Sequence, residues 1–150
     1  MRSKRFIAAV ALVVIASFGM APMANAATRP TTAQKLQLQY IIEEEKLARD
    51  VYLYLAENVT SSKFANIARS EQTHMNYMAT LLTKYKQTNP TTGKAAGVFV
   101  NKDIQALYNS LTAEGSAGLL QAYAVGVKVE EIDIASPVSY THLRAHETGR

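Results

Sequence analysis

With 150 residues, 48% of them hydrophobic, and no cysteine, the chain has material for one modest core and none for disulfides, thiol chemistry or Cys-based metal sites. The formal net charge of +4 belongs to the two ends: without Arg2, Lys4, Arg5, Arg144, Arg150 and Glu147, 11 basic residues face 11 acidic ones. So balanced a body lacks the basic surface that a nucleic-acid or membrane-surface partner requires.

Met1 to Ala26 reads as a signal peptide. Arg2, Lys4 and Arg5 form a basic n-region, Phe6 to Met20 an apolar stretch, and Ala24-Asn25-Ala26 a small-x-small cleavage signal. An uncleaved anchor is the competing reading, which the apolar length barely allows. Cleavage after Ala26 makes the mature protein secreted or periplasmic, with no remaining membrane segment.

Residues 27 to 137 carry the fold. Pro30 and the box-like Thr31-x-x-Gln34 open a first helix that runs to about Glu57. Its apolar seam steps by three and four through Leu38, Ile41, Glu45, Ala48, Tyr52, Leu55 and Val59, so that one carboxylate interrupts it. Glu43 and Glu44 fall off the seam and are expected to be solvated. Taken alone, Glu43-Glu44-Glu45 also reads as an acidic helix surface.

A short polar turn from Asn58 to Ser62 implies that the second helix returns antiparallel to the first. Its seam is Phe64, Ile67, Glu71, His74, Met78, Leu81 and Tyr85, with Asn89-Pro90 as its expected end. Two ionisable groups occupy positions suited to Leu or Ile. Three residues along a helix turn by about 300° and rise roughly 4.5 Å, so Glu71 and His74 can reach one point. Unpartnered charges in an apolar interior are costly, and a shared metal ion would neutralise them. A buried Glu–His hydrogen bond and a solvated surface pair are the competing readings.

Thr91 to Val100 reads as a loop. Asn101 is the expected N-cap of a short helix carrying Ile104, Leu107, Tyr108 and Leu111 and closed by Gly115. Ser116 is then expected to cap a further helix with the seam Leu120, Tyr123, Val127, Glu130 and Ile134. The seam prefers Glu130, and Glu131 is the neighbouring alternative. Three helices thus each place a carboxylate in register with apolar residues, which points to a metal site or its evolutionary remnant.

Val138 to Thr148 has no cap or periodicity tying it to the rest, and it resembles the conceptual translation of a transposon-end sequencing adapter. Residues 138–150 are therefore set apart from the fold, and His142 and His146 with them.

Glu45-Lys46-Leu47-Ala48-Arg49-Asp50-Val51-Tyr52 resembles the first-helix motif of rubrerythrin-type ferritin-like proteins, and Phe64 to His74 resembles their second ligand helix. The run from Glu43 to Ile134 is similar to the domain of unknown function 2202 family, a ferritin-like group of bacteria and archaea. The resemblance implies an all-α, ferritin-like antiparallel four-helix bundle with metal ligands at Glu45, Glu71, His74 and Glu130. Tyr52 is then placed to hydrogen-bond a ligand carboxylate, or to be an ordinary core tyrosine. The implied cofactor is di-iron, with manganese as the alternative metal, and the implied chemistry is Fe²⁺ oxidation or reaction with O₂ or peroxide.

A full di-metal bundle takes two Glu-x-x-His motifs, and this chain has one. The similar family continues past Ile134 into a last helix carrying another His, so the resemblance implies that this helix is missing here. A homodimer would be one way to cover the exposed seams. The competing function is an exported helical bundle that binds or sequesters metal without turnover.

Overall fold

The computed structural model describes residues 30–135. They form four helices, α1 (Thr32–Asn58), α2 (Ser62–Lys84), α3 (Lys102–Gly115) and α4 (Leu119–Ala135), with no strand among the described residues. The signal-peptide and tail assignments, His142 and His146 included, lie outside the described residues.

α1 starts as its sequence dictates. The Thr31 hydroxyl accepts the Gln34 N–H while the Gln34 side chain accepts the Thr31 N–H at 2.8 Å, a closed capping box. After a short turn, Ser61 caps α2 by accepting the Lys63 N–H, and the two helices form an antiparallel hairpin. α2 stops at Lys84, short of Asn89-Pro90. Lys86 takes a left-handed conformation (φ 54°), and the Gln87 N–H turns back to the Leu82 carbonyl, so the helix closes on its own backbone before the proline is reached.

Asn101 caps α3 through the N–H groups of Asp103 and Ile104. Ser116 is the C-cap of α3 rather than the opening of α4, its hydroxyl donating back to the Thr112 carbonyl at 2.7 Å. α1 packs against all three other helices, whereas the α2 backbone packs on α1 alone. α2 and α4 flank α1, and their side chains meet where Phe64 packs against the Tyr123 ring, centroids 5.2 Å apart.

Two apolar clusters lie along α1. One holds Leu38, Ile41, Ile42, Met78 and Leu82, and the other joins Ala48, Tyr52, Leu55, Phe64 and Ala68 to Phe99, Ile104, Leu111 and Val125. A polar network tethers the loop after α2 to α1. The Asp50 carboxylate, 1% exposed, accepts from Lys46, Arg49 and the Gly97 N–H, and Lys46 also donates to the Ala95 carbonyl at 2.8 Å.

Two expectations fail here. Glu43 and Glu44 are buried, at 4% and 7% exposure, rather than solvated. Glu43 accepts the N–H groups of Val100 and Asn101, so a distant loop supplies the partners that a surface glutamate would find in water. The phase of α4 also differs. It buries Ala122, Val125 and Val129, while Leu120 (76%), Val127 (58%) and Ile134 (58%) face outward. The helix is apolar on two faces, and only one of them meets α1 and α3.

Glu43→Ala should destabilise the fold by about 1–3 kcal/mol, because two backbone donors lose their acceptor. Glu43→Gln, which keeps an acceptor oxygen, should lose less. Urea denaturation of both variants measures the difference.

Candidate metal centre

Between the two apolar clusters lies one polar level. Glu45 comes from α1, and Glu71 and His74 come from α2, each offering a ligand atom within 4.8 Å of the others. The seam spacing explains the convergence: Glu71 and His74 are one turn apart on the face that α2 turns to α1. Ile42 and Met78 belong to the cluster on one side, Ala48 and Ala68 to the cluster on the other.

The hydrogen bonding leaves one atom unsatisfied. His74 Nδ1 lies 2.9 Å from Glu71 Oε2 and 3.3 Å from Glu45 Oε2. One N–H serves one acceptor well, and the shorter contact with Glu71 is the hydrogen bond. Glu45 Oε2 is buried with no hydrogen-bond partner. The contacts with Glu45 and then Glu71 push the imidazole up to about pKa 10, against the lowering effect of its burial. Without metal, His74 is thus a cation held by two carboxylates, with about half of its side chain exposed.

Tyr52, two turns along α1 from Glu45, donates its hydroxyl to Glu130 Oε1 at 2.7 Å. Burial and then the Glu130 contact raise this phenol strongly. Glu130 is therefore held beside the centre by Tyr52 and stands outside the Glu45–Glu71–His74 group. Glu131 points elsewhere, into the cavity between α3 and α4 that Glu114 and Lys128 also line.

One residue of this site is absent from the seam reading. Asp133, part-buried on α4, follows Glu130 by the same three-residue step that separates His74 from Glu71. Burial, then the charges of Glu45, Glu71 and Glu130, push its carboxyl up to about 6. α4 runs antiparallel to α1, since Leu55 approaches Gly115 and Val125 while Tyr52 meets Gly126 and Glu130. The next turn of α4 therefore carries Asp133 from the level of Tyr52 toward that of Glu45. The Glu-x-x-Asp spacing was the signal that could have found it.

These residues suit a divalent cation. An imidazole nitrogen with carboxylate oxygens fits Fe²⁺, Mn²⁺ or Zn²⁺, and the orphaned Glu45 oxygen is a ready ligand atom.

Residues 34–144 match the family model described as an uncharacterized protein domain, DUF2202. Over 93 residues the chain is 45% identical to an uncharacterized protein of Methanocaldococcus jannaschii, a match covering 62% of this chain and 50% of the relative. The chain thus spans about half the length of that curated relative. No solved structure matches it.

The two shifted groups predict a pH signature for the metal-free protein. A folded-state pKa raised above the ordinary 6.5 means that the His74 contribution is complete below that pH and fades as pH rises toward 10. Asp133 is likewise raised, so its ionised form costs stability at neutral pH. His74→Gln should flatten the loss between pH 6.5 and 10, and Asp133→Asn should raise the midpoint at pH 7.5. Urea midpoints across pH measure both.

Proposed function

The chain belongs to the DUF2202 family, and from that footing we propose that it is an exported ferritin-like protein holding a two-metal carboxylate site. Iron is the proposed metal, with manganese as the alternative, and oxidation of Fe²⁺ or reaction with O₂ or peroxide is the proposed chemistry. The observation that carries this reading is the Glu45–Glu71–His74 group, set on helix seams with one buried oxygen lacking a partner. Export is supported by the basic, apolar and small-x-small order of residues 1–26.

In this reading Glu45, Glu71 and His74 hold one metal position, and Glu130 and Asp133 contribute to the second from α4. A bound iron pair supplies one-electron steps and open positions for the oxidant. The chain's own residues do the rest. Tyr52 orients the Glu130 carboxylate through its 2.7 Å hydrogen bond. For a metal to bind at Nδ1, His74 would give up the proton it shares with Glu71. The flanking apolar clusters keep water from both ends of the polar level.

The bundle's remaining ligand helix would come from sequence beyond residue 135 in the full-length protein. Two features support it: the outward Leu120, Val127 and Ile134 of α4, and a relative about twice the length of the match. A second reading, metal binding or sequestration without turnover, is favoured by the way His74 already reconciles Glu45 and Glu71 without metal.

The test is anaerobic Fe²⁺ titration of the mature full-length protein, followed by exposure to O₂. The parent should bind iron and oxidise it faster than buffer. His74→Ala should bind it at least tenfold more weakly while keeping its helical circular dichroism, since Ala favours helix more than His does. Binding without accelerated oxidation would establish sequestration. Equal iron in His74→Ala and parent would give His74 a structural role and remove the site.

A further inference from the structure

We infer that Arg49 and Gln72 form a positioning pair that fixes the height of α2 against α1 at the metal centre. The inference rests on the metal reading above, and neither residue is a ligand. Arg49 follows Glu45 by one turn on α1, and Gln72 directly follows Glu71 on α2. The Arg49 Nη1–H group donates to Gln72 Oε1 at 2.7 Å across the helix pair. Like the ion pair of His74 with Glu45, it is a polar side-chain link between α1 and α2 in this stretch.

The donor is itself locked. Arg49 Nε and Nη2 both donate to Asp50 Oδ1, at 2.8 and 2.6 Å. The other oxygen of Asp50 is held by Lys46 and by the Gly97 N–H at 2.8 Å, and Lys46 lies 4.4 Å over the Phe99 ring. A guanidinium held along its Nε–Nη2 edge by a fully buried carboxylate has little freedom left, and it presents Nη1 to α2 at a set place. On the acceptor side, the Gln72 amide nitrogen donates to Asn76 Oδ1 at 2.9 Å, which orients the carbonyl end toward Arg49.

Apolar packing leaves such a height loosely defined. The side chains flanking the centre on the α1–α2 seam include Ala48, Ala68 and Met78, which are small or flexible and tolerate a slide or a small rotation. Metal ligands tolerate far less, roughly 0.5 Å before binding suffers. A directional bond next to Glu71, anchored one turn from Glu45, supplies the missing definition. The same network ends at Ala95 and Gly97, so the loop after α2 braces the centre from outside.

The experiment uses Co²⁺ and the mature chain with Gln72→Ala, Gln72→Glu and Asn76→Ala. Gln72→Ala leaves the Arg49–Asp50 fork intact and removes only the link to α2. It should weaken Co²⁺ binding about tenfold and change the cobalt visible band, with thermal melting close to the parent's. Gln72→Glu keeps an acceptor for Arg49 and should restore both, while Asn76→Ala, which frees the Gln72 amide but keeps its acceptor oxygen, should lose less than Gln72→Ala. Parent-like affinity and band in Gln72→Ala would overturn the inference, as would an equal loss in Gln72→Glu. A metal-free readout separates this from failure of the metal reading. The His74 Nδ1 proton bonded to Glu71 should give a downfield proton resonance that broadens in Gln72→Ala and returns in Gln72→Glu. A parent that binds no Co²⁺ removes the metal site, but an unchanged resonance in Gln72→Ala removes the positioning role whatever the metal does.

Discussion

The structure depends on holding like charges together between two apolar clusters. Glu45 and Glu71 sit where aliphatic residues would otherwise join the Ile42–Met78 cluster to the Ala48–Ala68 cluster. Repulsion between the carboxylates is offset by the His74 imidazolium, and the arrangement still leaves the buried Glu45 Oε2 without a hydrogen bond. An apolar layer would stabilise the hairpin more. The sequence therefore gives up stability at this level, as the metal-site reading proposed above would require.

Everything around the centre reads as support for that layer. α1 touches each of the other helices, so it can carry Glu45 inward and Tyr52 toward α4 on the same seam. Its opposite side is also charged. There Glu43, Lys46 and Asp50 take the loop's N–H groups and carbonyls, which fastens a loop without secondary structure to a rigid helix. Such a device makes buried charges tolerable, because each one is paired or multiply hydrogen-bonded.

What was legible in the sequence was what depends on local spacing. The capping box at Thr31, the Asn101 cap and the seam placing Glu45, Glu71 and His74 on facing helices all follow from period and short-range bonding. What escaped depends on partners far along the chain. Glu43 looked solvated because its donors, Val100 and Asn101, lie 57 and 58 residues away. The α4 phase was ambiguous for another reason: with apolar residues on both faces, Leu120-Tyr123-Val127 and Ala122-Val125-Val129 are equally periodic, and only packing against α1 and α3 selects the second. Shifting that phase is also what brings Asp133 toward the centre and takes Glu131 away from it.

The charge count of the centre is compatible with the two-cation reading proposed above. Burial, then the charges of Glu45, Glu71 and Glu130, raise the Asp133 carboxyl to about 6. With His74 protonated, one positive charge faces four carboxylates. A single divalent ion, displacing that proton, would leave a clear negative excess in a part-buried site. Two divalent ions would balance the four carboxylates with the imidazole neutral, and the raised Asp133 would then return toward its ordinary ionisation. His74, held protonated by the carboxylates, and Asp133, raised by burial and by their charge, would both be relieved by cations bound there. In that reading α4 is tied to the hairpin through the charges of Glu130 and Asp133, which act on the same site as those of Glu45 and Glu71.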